Sequence, residues 1–77
     1  MEGLGADVVR IVTISVNGES TETGGAVTIA DLIERYQLAP QAVLIEHNGV
    51  ALHRREWVQK KLSDGDRIEF IRVVAGG

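Results

Sequence analysis

Two Asn-Gly pairs, Asn17-Gly18 and Asn48-Gly49, constrain this chain more than any other feature. A type I′ turn needs positive φ at both central residues, and Asn followed by Gly adopts it at the least steric cost. Each pair sits between strand-like runs, so each predicts a tight β-hairpin. Val8 to Val16 leads into the first and is rich in β-branched residues, with Val12, Ile14 and Val16 alternating against Thr13 and Ser15. That spacing gives one apolar face and one mixed face. The return run, Glu19 to Thr23, is polar and belongs at an edge or facing water. Ala42 to His47, containing Val43-Leu44-Ile45, leads into the second pair, and Val50-Ala51-Leu52 returns from it.

Between the hairpins the period changes from two to 3.6. Gly24-Gly25 reads as a turn. Thr28 is placed as a helix N-cap, with Asp31 three residues on as a variant of the capping box. Ile29, Leu32, Ile33 and Tyr36 then form one amphipathic stripe, while Asp31, Glu34 and Arg35 take the wet side. Tyr36 reads as a packing residue, and Pro40 closes the unit. After the second hairpin, His53 to Leu62 is irregular with one helical turn. Asp64-Gly65-Asp66 is a turn, and Arg67 to Val74 is the last strand. Ile68 and Phe70 share one of its faces; Glu69, Ile71 and Val73 share the other.

The fold class expected is α+β: a mixed sheet of about five strands with one main helix packed across one face. The expected core is Val12, Ile14, Ile29, Leu32, Ile33, Ile45, Leu62, Ile68 and Phe70. Seventy-seven residues allow one small domain. Without cysteine there is no disulfide, thiolate ligand or thiol nucleophile, which fits a reducing cytosol. A net charge of −3 speaks against a general nucleic-acid binder. No apolar run approaches a membrane span, and residues 1–7 lack the basic start and apolar stretch of a signal peptide.

The residues offer no enzyme site. There is no phosphate-binding glycine loop, and His47 and His53 lack the spacing of a metal pair. Arg54, Arg55, Lys60 and Lys61 form a basic segment beside Trp57. It reads either as a docking patch for an acidic partner or as a solvated face with Trp57 half-buried at the core edge. Ile71 and Val73, on the outer face of the last strand, form a further candidate docking surface.

The last residues, Val73-Val74-Ala75-Gly76-Gly77, admit two readings. One is a frayed end. The other is a slim tail that carries a carboxylate into another protein's active site, since five extended residues reach at most roughly 17 Å. An ionised carboxylate is a poor electrophile, so its use requires activation, for example as an acyl-adenylate. Glycine leaves the approach to that carbonyl open.

Several stretches combine into a resemblance: Ile14-Ser15-Val16-Asn17-Gly18-Glu19, Thr28-Ile29-Ala30-Asp31-Leu32-Ile33, Asn48-Gly49, Arg54-x-x-Trp57, Leu62-x-x-Gly65-Asp66-x-Ile68 and Val74-Ala75-Gly76-Gly77. Together they resemble the ubiquitin-like β-grasp carriers and, within them, the ThiS family of sulfur carrier proteins of thiamin biosynthesis. Two features depart from that pattern: a long leader before Ile11, and His47 where an apolar strand residue is usual.

The resemblance implies a carrier and not an enzyme, monomeric alone, cytoplasmic, binding neither cofactor nor metal, nucleic acid nor membrane. An E1-like adenylating enzyme would use ATP and Mg²⁺ to adenylate the Gly77 carboxylate. Sulfur from cysteine, through a desulfurase, would convert it to a thiocarboxylate, and thiazole synthase would receive the sulfur. Gly77 is then the covalent site, and Val73, Val74, Ala75 and Gly76 the threading tail, with Arg54, Trp57 and Ile71 the candidate docking surface. The domain reading is a flexible leader over 1–8, a β-grasp domain over 9–72 and a flexible tail over 73–77.

The nearest alternative is the small subunit of molybdopterin synthase, which usually carries prolines before Val-Ala-Gly-Gly. Here Arg72-Val73-Val74 stand instead. Carriers for other thiolated products share the same pattern. A non-covalent ubiquitin-like interaction domain, with an incidental Gly-Gly, is the alternative from another class.

Overall fold

Both Asn-Gly pairs form the expected turns. Asn17 and Gly18 take φ of 50° and 87°, and Asn48 and Gly49 take 52° and 85°. The structure, a computed structural model, describes residues 11–73. Within them the first hairpin is β1 (Thr13–Val16) and β2 (Glu19–Glu22), and the second is β3 (Val43–His47) and β4 (Val50–Leu52). The helix α1 spans Ile29–Arg35, and the last strand, β5, spans Arg67–Arg72. The strand expected from Val8 begins at Thr13 among the described residues, and 8–10 lie outside them.

The sheet order is β2-β1-β5-β3-β4. β5 therefore lies between the two hairpins, parallel to β1 and antiparallel to β3. Polar β2 takes one edge, as its composition requires.

The helix starts where expected. The Asp31 N–H donates to Thr28 Oγ1 at 3.2 Å, and Asp31 Oδ2 accepts from the N–H groups of Thr28 at 3.0 Å and Val27 at 2.9 Å. Those two backbone donors hold the Asp31 carboxyl below its ordinary range. The end of the helix differs from the expectation. Gln37 takes φ of 56°, its N–H reaches Glu34 C=O at 3.0 Å, and the Leu38 N–H reaches Ile33 C=O at 3.1 Å. This is a Schellman motif with glutamine at the position that glycine usually occupies. It stops the helix at Arg35, five residues before Pro40, which instead opens a 3₁₀ turn, Pro40–Ala42.

The buried core is Ile14, Val16, Ile29, Leu32, Ile33, Val43, Ile45, Trp57 and Ile68. Val12, Leu62 and Phe70, expected in it, pack only partly buried against it. Val12 precedes β1 and Leu62 lies in a connection, while Phe70 lies beyond the last β1–β5 pair, Val16↔Ile68. Val16 and Val43 belong to the core through the inward faces of β1 and β3.

Trp57 is a correction. The sequence left it half-buried or on a docking surface, yet it is only 5% exposed. The cause lies in the backbone: Ala30 N–H donates to Trp57 C=O at 3.0 Å and Ile29 N–H to Lys60 C=O at 2.9 Å. The connection from Trp57 to Leu62 thus satisfies the first N–H groups of α1, which no helix can pair internally. That contact draws the indole into the core. Its Nε1 is buried without a hydrogen-bond partner among the described residues.

Candidate functional site

The geometry around β5 defines the site. Two asparagines hold this strand, one from each hairpin turn. The Arg67 N–H donates to Asn48 Oδ1 at 2.8 Å, and the Phe70 N–H donates to Asn17 Oδ1 at 2.8 Å. Each asparagine also donates its own N–H to β5, Asn48 to Arg67 C=O at 2.7 Å and Asn17 to Ile68 C=O at 2.9 Å. The residue that makes the left-handed turn therefore also pins the central strand. Sequence reasoning found the turns but not the clamps.

Asp66 secures the start of β5. Its Oδ2 accepts from the Ser63 N–H at 2.8 Å and lies 2.8 Å from His47 Nε2, and its Oδ1 accepts from Asn48 Nδ2 at 3.1 Å. An ionised carboxylate only accepts, so His47 Nε2 carries the proton in this contact. Burial works to raise the Asp66 pKa, but the hydrogen bonds from His47, Ser63 and Asn48 outweigh it and hold the carboxyl below its ordinary value. His47, out of pattern as a strand residue, is thus the partner of a buried carboxylate. His53 is elsewhere: its N–H donates to Glu56 Oε1 at 2.8 Å across the 3₁₀ turn Arg54–Glu56. Among the described residues no group of three His, Asp or Glu is placed to hold a metal ion.

The outer face of the sheet carries an apolar patch. Leu44 and Ile71 pair across β3 and β5 and are 55% and 41% exposed. Val73, 47% exposed, extends the patch. Glu46 and Glu69 pair directly beside it. Two like charges in opposition destabilise a sheet slightly, so this border reads as a surface shaped for something besides stability.

The candidate site residues divide accordingly. Ile71 and Val73 share the patch. Arg54 is exposed on the 3₁₀ turn, and Trp57 is in the core, so neither its ring nor its N–H lies on a docking face. Val73 still donates its N–H to Ala42 C=O at 3.0 Å, so the segment read as a tail from 73 begins with a residue held to the sheet. Val74, Ala75, Gly76 and Gly77 lie outside the described residues. Leu44 was missed, although its place opposite Ile71 follows once the β3–β5 register is known.

A five-stranded mixed sheet in this order, crossed by one helix and with its last strand at the centre, is the β-grasp fold of the ubiquitin-like carriers. Comparison with known proteins narrows this class. The model of the ThiS family matches residues 7–77. The sulfur carrier protein ThiS of Bacillus subtilis (strain 168) is 36% identical over 50 residues, covering 65% of this chain and 76% of that protein. An uncharacterized protein of Trieres chinensis, ycf40, is 25% identical over 65 residues, 84% of this chain and 89% of that one. The crystal structure of the thiamine biosynthesis protein ThiS from Geobacter metallireducens aligns with a TM-score of 0.74 at 29% identity, over 86% of this chain and 100% of that chain.

The chain belongs to the ThiS family, the sulfur carriers of thiamin biosynthesis. Proteins of this family are carriers and not enzymes, and they bind no cofactor of their own. Membership implies partners of the adenylating-enzyme and thiazole-synthase type. Among the described residues no helix is long and apolar enough to cross a membrane.

Proposed function

We propose that the carboxylate of Gly77 is the sulfur-bearing group and that residues 74–77 thread into the partner enzymes while the sheet docks outside. An E1-like adenylating enzyme with ATP and Mg²⁺ joins a Gly77 carboxylate oxygen to the α-phosphate and releases pyrophosphate. The terminal sulfur of a persulfide formed by a cysteine desulfurase attacks the acyl-adenylate and displaces AMP, which leaves with that oxygen, giving an acyl disulfide. A second thiol then attacks the distal sulfur of that S–S bond, is itself oxidised to a disulfide, and releases the thiocarboxylate, which passes its sulfur to thiazole synthase. ATP and Mg²⁺ are the partner's, and this chain contributes the electrophile and the surface that is recognised.

The observation that carries this reading is where the chain leaves the sheet. β5 is pinned by Asn48 at its start and Asn17 farther along, and its exit at Val73 lies beside the exposed Leu44–Ile71–Val73 patch. A partner seated on that patch is adjacent to the emerging tail. The family match running through Gly77 supports the tail as part of the functional unit. The Glu46–Glu69 border suits a partner surface with basic residues. In this reading residues 9–72 are the recognised body and Ile71 a docking residue, joined by Leu44; Arg54 stands apart on its 3₁₀ turn.

Deleting Gly77 tests the assignment. The expected result is unchanged thermal unfolding with loss of carrier-dependent ATP–pyrophosphate exchange on the adenylating enzyme. Unchanged exchange would place the reacting group elsewhere.

A further inference from the structure

The hydrogen-bond alternation of β5 leaves a short stretch of its backbone facing no strand among the described residues. Asn48 N–H to Arg67 C=O and Val73 N–H to Ala42 C=O fix the residues whose polar groups point at β3: 67, 69, 71 and 73. The polar groups of residues 68, 70 and 72 therefore point the other way, toward β1. Asn17 serves the first of these, its N–H meeting Ile68 C=O at 2.9 Å and its Oδ1 meeting the Phe70 N–H at 2.8 Å. There the chain turns away at Gly18, because the β1–β5 register ends at Val16↔Ile68. The Phe70 C=O, the Arg72 N–H and the Arg72 C=O follow along that edge with no strand beside them among the described residues.

A groove of about 580 Å³ runs along this edge, walled by the β1–β2 hairpin at Glu19 and Thr21 and floored by Tyr36, Leu38 and Phe70. Tyr36 and Phe70 meet edge to face, with centroids 5.2 Å apart and planes at 77°. Tyr36 remains 41% exposed there, which explains why its place in the helical stripe did not bury it.

We infer that an extended segment of the adenylating enzyme adds as a strand along the β1-facing edge of β5 at Phe70–Arg72. This rests on the carrier reading above. An acceptor, a donor and an acceptor in line are the complement of extended backbone, which offers N–H, C=O and N–H at the same spacing. Alternate side chains of such a segment point to opposite faces. One enters the groove over Tyr36 and Phe70, and its neighbours fall on the outer face beside Ile71 and Val73, so the new edge is continuous with the apolar patch. Chain length argues for the same occupant. Four residues, 74–77, reach at most about 14 Å, so an enzyme that reacts with Gly77 must come that close to Val73. The edge also carries few unpaired groups, which limits unwanted strand pairing.

The test is amide hydrogen exchange on the full chain, alone and in complex with its adenylating enzyme and ATP. The Arg72 amide is expected to exchange quickly in the free carrier and at least roughly tenfold more slowly in the complex. Fast Arg72 exchange in a complex that still adenylates the carrier overturns the inference and leaves the carrier reading intact. Failure of adenylation overturns both. Protection of Arg72 that grows with carrier concentration in the absence of enzyme assigns the edge to a second copy of this chain, which also overturns the inference. Arg72→Pro supplies a second readout, since it deletes an N–H that β3 does not use. Relative to Arg72→Ala, which keeps that N–H, it is expected to raise the KM for carrier roughly tenfold, the size of one main-chain hydrogen bond. Equal KM values for the two variants contradict the added strand.

Discussion

Replacing Asp66 with asparagine tests how β5 is anchored. The residue is 8% exposed, and its carboxylate receives hydrogen bonds from Ser63 N–H, His47 Nε2 and Asn48 Nδ2. Asparagine keeps the shape but has one acceptor oxygen. Turned toward Ser63 and His47, it points an NH₂ at Asn48 Nδ2, another donor. Asn48 cannot flip to relieve this, because its Oδ1 already accepts the Arg67 N–H at 2.8 Å. Turned toward Asn48, it leaves the Ser63 N–H and His47 facing an NH₂ instead. Either way at least one hydrogen bond to a charged acceptor is lost, and the others weaken to neutral ones. The expected cost of Asp66→Asn is about 2–3 kcal/mol, or a fall in Tm of roughly 10–20 °C for a domain of this size.

The pH dependence gives an independent check. The folded-state pKa of Asp66 is held below its ordinary value, so its contribution is complete above about pH 4, the unfolded value, and is lost as pH falls through the folded value. The gap between the native chain and Asp66→Asn should therefore narrow below about pH 4. Urea unfolding of both proteins across pH 3 to 7 measures it. A cost under about 0.5 kcal/mol at pH 7, or a gap that does not narrow in acid, refutes the anchoring argument.

Other outcomes follow from particular contacts. Gln37→Gly should stabilise by about 1 kcal/mol, because the left-handed C′ position of the Schellman motif costs glutamine strain that glycine lacks; thermal melts measure the gain. Trp57→Phe should cost less than about 1.5 kcal/mol, since it removes a buried N–H with no partner as well as indole volume, while Trp57→Ala should cost about 3–5 kcal/mol. Ile71→Asp should leave Tm within a few degrees and weaken binding to the adenylating enzyme at least roughly tenfold, the loss expected for a central apolar contact. Titration calorimetry reads that loss.

Much of this architecture was legible because it is local. The capping box of Thr28 and Asp31, both Asn-Gly turns and the polar edge strand each follow from residues within a few positions of one another. What was not legible depends on contacts distant in sequence. Nothing near Trp57 announces that its carbonyl will meet the start of a helix 27 residues earlier, at Ala30. The Asp66 network joins residues 18 and 19 positions apart, so His47 looked like an anomaly until its partner was in place. Pro40 was credited with ending the helix because proline is conspicuous, whereas a left-handed glutamine carries no sequence signature. At the site, the alternation of β5 correctly put Ile71 and Val73 outside, but Leu44 joined them only through the β3–β5 register. The basic segment at Arg54 and Arg55 was visible as charge, which says nothing about which way Trp57 points.

Sulfur transfer to Gly77 is tested most directly by the intact mass of the chain after incubation with its adenylating enzyme, ATP, Mg²⁺, a cysteine desulfurase, cysteine and a thiol reductant. One oxygen is expected to be exchanged for sulfur, fragmentation is expected to place the change on Gly77, and omitting ATP is expected to abolish it. An unchanged mass with an enzyme shown to be active on another carrier, or sulfur located anywhere but Gly77, would contradict it.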